Sequence, residues 1–207
     1  MKKDNDIKRD CAPVMRRQVF VNRDLKGHGR VWANALIQVT ELVDEEWIKR
    51  AAAYSTQDPD KLPKAPMSKW YQSEHSPIRL GTYFIEMRGI PNYVCGHLVR
   101  HHVGCTPFMQ TSRPDRGGGE DASRYDSKNL ALMINAQSLI DIARKRLCKQ
   151  SDKVTLDVMQ TIWELVFELN ADLARCMMPQ CEYRGRRCFE FKSCGKCPSF
   201  VQSVKED

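Results

Sequence analysis

The apolar positions fall into blocks with different periods. In residues 31–53, Trp32, Leu36, Val39, Val43, Trp47 and Ala51 recur at steps of three and four, which predicts an amphipathic helix with its stripe in the core. Before it, Val19, Phe20 and Val21 interrupt a polar, basic segment (1–30) and predict an edge strand behind a loose arm. Three prolines make 55–69 a loop or linker. Residues 80–88 (LGTYFIEMR) alternate and predict a strand, and Pro91 then opens a predicted helix over 92–102. Residues 104–129, with Pro107, Pro114 and the Gly117–Gly119 run, read as a long irregular segment. Two helices are predicted beyond it. One spans 129–148 and includes the apolar run Leu130 to Ile134. The other spans 153–178, with Leu156, Met159, Trp163, Val166, Phe167, Asn170, Leu173 and Met177 on one face, and stops at Pro179.

Composition narrows the class. The 207 residues are 42% hydrophobic, enough for a real core, and no stretch has the roughly 20 apolar residues of a membrane span. The polar N-terminus has no apolar signal core, so the expected location is cytoplasmic, not secreted. A formal charge of +7 favours anionic partners without choosing between nucleic acid and phosphorylated small molecules. Nine cysteines, an odd number with no secretion signal, argue for reduced thiols over a disulfide framework. The expected organisation is one domain over 1–180 and a Cys-rich tail over 181–207.

Three constellations can carry chemistry. Arg100-His101-His102 closes a predicted helix and enters the irregular segment containing Gln110-Thr111-Ser112-Arg113. An arginine there can fork onto a phosphate, and imidazoles can stack on a flat ring; a solvated basic patch is the plainer alternative. On the helix beyond, Asn135, Ser138, Ile142 and Arg146 share a face, with Asn135 and Arg146 about 16 Å apart. That suits an extended ligand, although Arg144, Lys145 and Arg146 also simply complement a helix C-terminus. The third is Cys181, Cys188, Cys194 and Cys197, ending in a CxxC pair. Structural zinc, free or disulfide-forming thiols, and an iron–sulfur cluster all fit this spacing. A three-histidine metal site from His75, His97 and His101 is a weaker alternative, because Arg100 would repel a cation.

Taken in order, these residues resemble the flavin-dependent thymidylate synthases, most closely their short, phage-like members. His75-Ser76-Pro77, Arg100-His101-His102, Gln110-Thr111-Ser112-Arg113, and Asn135-x-Gln137-Ser138-Leu139 with Arg146 carry the match across residues 15–178. The resemblance implies an α+β fold and a homotetramer with FAD sites at subunit interfaces. It also implies a reaction: methylation of dUMP to dTMP with carbon from methylenetetrahydrofolate and reducing power from NADPH. By position, Arg100, Gln110, Ser112 and Arg113 would hold the nucleotide, Arg113 at its phosphate. His75, Ser76, His101, His102, Asn135 and Gln137 would serve the cofactor, and Arg146 would stabilise an anionic uracil. Ser112 and Arg146 are thus the expected catalytic pair. His102, Gln110 and Gln137 depart from the family's usual Arg, Glu and Arg, and an alternative alignment uses Ser123-Arg124-Tyr125 in place of Ser112-Arg113. A pyrimidine nucleotide hydroxymethylase, a flavin-less relative and a zinc-containing nucleic-acid-binding protein remain the other readings. No membrane partner is expected.

Overall fold

The computed structural model describes residues 16–118 and 122–200. The N-terminal arm up to residue 15, Gly119 and the last seven residues of the tail lie outside that range. Strands β1 (Gln18–Gly27), β2 (Arg30–Val43), β3 (Thr82–Pro91), β4 (Cys105–Met109) and β5 (Ser127–Asn135) form one antiparallel sheet in the order β1-β2-β3-β5-β4. Helices α1 (Glu45–Ala53), α2 (Met67–Gln72), α3 (Asn92–Leu98), α4 (Ala136–Arg146), α5 (Lys153–Leu169), α6 (Ala171–Cys176) and α7 (Gln180–Tyr183) complete the α+β architecture.

The core lies between the sheet and the helices. Ile37, Val39, Tyr83, Ile85, Met87, Leu130, Leu132 and Ile134 point into it, with Val158, Ile162 and Val166 of α5 and Leu139 and Ile142 of α4. Each fully buried aliphatic side chain contributes about 1.5–3 kcal/mol. Phe20, Phe108 and Met133 alternate with inward neighbours and are exposed.

Two predicted helices begin as strands. In 31–53, β2 occupies the residues up to Val43 and α1 those from Glu45 on, with Asp44 as its cap. The helical spacing comes from a bulge: Arg23 pairs with Ala35 but Leu25 with Trp32, so β2 carries one extra residue. Asn34, at φ +52°, absorbs it, and the inward set becomes Trp32, Ala35, Ile37 and Val39. The three-residue step at the bulge imitates a helical turn. In 129–148 the first half is β5, whose inward Leu130, Leu132 and Ile134 alternate with Ala131 and Met133. The outward positions are apolar too, so the period of two is hidden. The segment 104–129, read as irregular, contains β4 and the start of β5.

The predicted helix 153–178 is broken at Asn170. This buried residue has φ −149° and ψ 85°, and its Oδ1 caps α6 by accepting from Leu173 N at 3.0 Å. Its amide donates to the buried hydroxyls of Tyr71 (3.0 Å) and Tyr83 (3.2 Å). Satisfying those hydroxyls outweighs continuing the helix. The expected strand at 80–88, the edge strand at Val19–Val21 and the helix after Pro91 are present, the last ending at Leu98.

Candidate functional site

The connection from α3 to β4 lies along α4 and is fastened at both ends. At the N-terminal end of α4, Asn135 Oδ1 accepts from Ser138 N (2.9 Å) as the helix cap. Asn135 N donates to Gly104 O (3.0 Å), and Ser138 Oγ donates to Val103 O (2.6 Å). Gly104 has φ +64°, and a Cβ there would stand 2.3 Å from Ser138 Oγ and 2.4 Å from Asn135 Nδ2. Only glycine allows this approach. At the C-terminal end, Arg146 Nε donates to His101 Nε2 (3.0 Å) and Nη2 donates to His97 O (2.8 Å).

This second fastening fixes a protonation state. Burial, then Arg146, then His102 push His101 down to about 4, so its ring is neutral at pH 7. Because Nε2 accepts from Arg146, the ring proton sits on Nδ1 and remains available to a ligand. Burial and Arg100 lower the Arg146 pKa, yet guanidinium stays charged at any physiological pH. The charged and titratable neighbours acting on this pair are all basic. Arg100 and His102 beside it are exposed, and His102 Nδ1 donates to Arg100 O at 3.1 Å. Arg146 keeps further N–H groups beyond the two it uses on the protein. The patch can take an anionic or carbonyl-bearing flat ligand.

Other expected site residues are placed differently. His75 and Ser76 are exposed at the start of a 3₁₀ turn (Ser76–Leu80) that packs on α4, and Ala136 N donates to Gly81 O at 2.9 Å. The His75 ring leans on Trp70 with 5.4 Å between centroids. Gln137 is engaged within the protein: its amide donates to Glu74 Oε2 (2.6 Å) and Asp141 Oδ1 (3.4 Å). Glu74 also pairs with Arg144, whose guanidinium lies 3.8 Å from the centre of the Tyr183 ring. These hydrogen bonds and Arg144 hold the Glu74 carboxyl below the usual range despite its partial burial.

Gln110, Ser112 and Arg113 lie at the far end of β4 from the histidines. Cys105 pairs with Ile134 whereas Met109 pairs with Leu130, and five strand residues span about 17 Å. Gln110 Oε1 accepts from Asn129 N at 3.0 Å. Arg113 forms a two-pronged ion pair with Asp115 (2.9 and 2.7 Å). Gly118 packs so closely on the backbone of Ser112 that a Cβ would stand 2.2 Å from its carbonyl oxygen. Within one chain these residues therefore do not join Arg146 and His101, contrary to a single constellation read from nearness in sequence. In the alternative segment, Arg124 stacks over Tyr93 (5.2 Å) and Tyr125 (5.4 Å).

Several residues near the candidate site had no sequence signal. Glu74 organises Gln137 and Arg144 from before the 3₁₀ turn. His28 Nε2 meets Asp152 Oδ2 at 2.6 Å, bringing the β1–β2 turn to the start of α5. Lys128 is buried and reaches Thr111 O at 3.5 Å. A separate cleft of about 500 Å³ is lined by Arg17, Glu41, Asp44, Glu45, Glu46 and Asp172; its carboxylates disfavour a phosphate.

Among the described residues, no three His, Cys, Asp or Glu side chains stand in an arrangement that could hold a metal ion, so the three-histidine alternative has no support. His97 Nδ1 is instead 2.8 Å from Thr155 Oγ1. Cys181, Cys188 and Cys197 are buried together as free thiols, and Cys194 is exposed. Among the described residues no helix is long and apolar enough to cross a membrane.

This antiparallel sheet, running directly into a capped helix with an Arg-His loop laid along it, is similar in fold to a flavin-dependent thymidylate synthase. The chain is similar to thymidylate synthase X from Helicobacter pylori, solved with FAD and dUMP, at TM-score 0.53 and 13% identity, covering 67% of this chain and 98% of that one. It is also similar to PolB, a UMP/dUMP methylase from Streptomyces cacaoi solved with 5-Br dUMP. There the TM-score is 0.52 and the identity 15%, covering 68% of this chain and 94% of that one. No protein-family model and no curated protein matches the chain.

Proposed function

We propose that the protein is a pyrimidine nucleotide C5-methyltransferase that converts dUMP, or a closely related nucleotide, to its 5-methyl form. FAD, methylenetetrahydrofolate and NADPH are its co-reactants. The observation that carries this reading is the Arg146–His101 pair on a thymidylate synthase fold. With Nε and Nη2 anchored on the protein, the guanidinium edge is held rigid without losing its remaining donors. Donation to a uracil carbonyl would stabilise the anionic ring and make C5 more nucleophilic. No protein nucleophile is needed.

The available donors suit the cofactor. His101 Nδ1, the exposed His102 ring and the Arg100 guanidinium are unengaged by acids and can meet a flavin or its diphosphate. Bound FAD would supply the hydride that completes the methyl group. Asn135 and Ser138 act by holding the loop that presents these groups. His75, Ser76 and Gln137 flank the N-terminal end of α4 as cofactor-side residues, with Gln137 held by Glu74. Gln110, Ser112 and Arg113 would bind nucleotide, Arg113 exchanging Asp115 for phosphate. Their distance from Arg146 favours a homotetramer in which one copy's β4 end completes another copy's site. Ser112 would then act on the nucleotide at the neighbouring centre.

The test is product analysis of dUMP incubated with the protein, FAD, NADPH and methylenetetrahydrofolate. The expected product is dTMP, lost in Arg146→Ala. Formation of a 5-hydroxymethyl nucleotide, or transfer undiminished by that substitution, would overturn the reading.

A further inference from the structure

The Cys-rich segment has no part in the proposed reaction, and its architecture is unusual. Over residues 181–200 the buried residues are Cys181, Cys188 and Cys197, and no others. They contact one another in a cluster separate from the main core. Residues 184–200 contain no Leu, Ile, Val or Met. Three small thiols bury too little apolar area to offset the entropy of ordering some twenty residues.

The backbone nevertheless converges on these sulfurs. Cys188 N donates to Pro198 O and Cys188 O accepts from Phe200 N, both at 2.8 Å, so the Cys194–Cys197 turn folds back beside Cys188. In that turn Gly195 takes φ +82°, and Ser193 Oγ accepts from Gly195 N (3.2 Å) while donating to Cys197 O (3.1 Å). Cys194 therefore leaves the turn three residues before Cys197, the spacing at which a CxxC pair takes one ion. The charge also fits. Four thiolates around a divalent cation carry −2, and Arg184, Arg186, Arg187, Lys192 and Lys196 outnumber Glu182 and Glu190 in the same stretch.

The four thiols do not stand as a preformed metal site, but Cys181, Cys188 and Cys197 already contact one another, and we propose that Cys194 closes onto them around one structural zinc ion as a tetrahedral tetrathiolate. The ion takes the place of the thiol protons and supplies the cohesion that the segment's side chains lack. The segment grips the C-terminal turn of α4: Tyr183 lies under Arg144, Glu190 pairs with Lys145 at 3.4 Å, and Gln150 donates to Lys192 O. These contacts flank Arg146, so the metal fastens the helix end that presents it. The site stands on its own, whichever reaction the chain performs.

The experiment uses the full chain, purified without added metal or chelator, with zinc measured by mass spectrometry and again after cobalt replacement. The expected result is about one zinc per chain, and in the cobalt form a thiolate-to-metal charge-transfer band with intense tetrahedral d–d bands. Cys188→Ser and Cys197→Ser, singly and as a double variant, should lose the metal. No zinc in the wild-type chain, an iron–sulfur spectrum, a disulfide among these cysteines, or full metal content in the double variant would overturn the proposal. The wild-type stoichiometry and cobalt spectrum decide the matter even where a serine variant does not fold.

Discussion

Replacing Gly104 by alanine tests whether the loop bearing His101 is held by close approach to α4. Two costs are separable. A Cβ at φ +64° costs about 1 kcal/mol in backbone strain alone. The same Cβ meets Ser138 Oγ at 2.3 Å and Asn135 Nδ2 at 2.4 Å. Relieving that overlap displaces Ser138 Oγ from Val103 O, worth about 1 kcal/mol, and loosens the Asn135 cap, worth about 1 kcal/mol more. The sum is about 2–4 kcal/mol. Gly29 is the control: φ is +69° with nothing within 4 Å of a Cβ, so Gly29→Ala should lose only about 1 kcal/mol. Thermal melts should place Gly104→Ala roughly 5–15 °C below wild type and Gly29→Ala about 2–4 °C below. Equal losses in the two variants would refute the claim that Ser138 and Asn135 pin this loop.

Further outcomes follow from the same contacts. Arg146→Ala should abolish turnover and raise the His101 pKa from about 4, leaving burial as the main cause that holds it down; histidine proton NMR reads the shift, and an unmoved His101 would contradict the pairing. His101 is held below its unfolded value, so the unfolded chain binds more protons between about pH 6.5 and 4. Stability should therefore fall as pH drops through that window, and denaturant melts of His101→Gln should show a shallower fall. Asn170→Ala removes the α6 cap and the donor to Tyr71 and Tyr83, and should cost about 2–4 kcal/mol in urea unfolding; a loss under about 0.5 kcal/mol would refute that role.

The residues that resemble the family were legible because they lie on short local patterns. The strands beside them were not. In β2 a bulge at Asn34 converts a period of two into a three-residue step. In β5 the exposed sheet face is itself apolar at Ala131 and Met133. Asn170 reads in the sequence as part of one continuous helical face; Phe167 on that face is exposed while Val158, Ile162 and Leu165 are buried, and the break arises from tyrosines about ninety residues away in sequence. The site followed the same rule. The Asn135–Arg146 face and the Arg-His loop were readable, and they meet. That Ser112 and Arg113 stand apart from them depends on the register of β4 against β5, which no local pattern encodes.

The most direct test of the central claim is the visible absorption spectrum of the purified protein with FAD, titrated with dUMP. The account predicts a protein-bound flavin spectrum that shifts saturably as dUMP binds, with the response lost in Arg146→Ala. Failure to take up FAD, together with no response to dUMP, would contradict it.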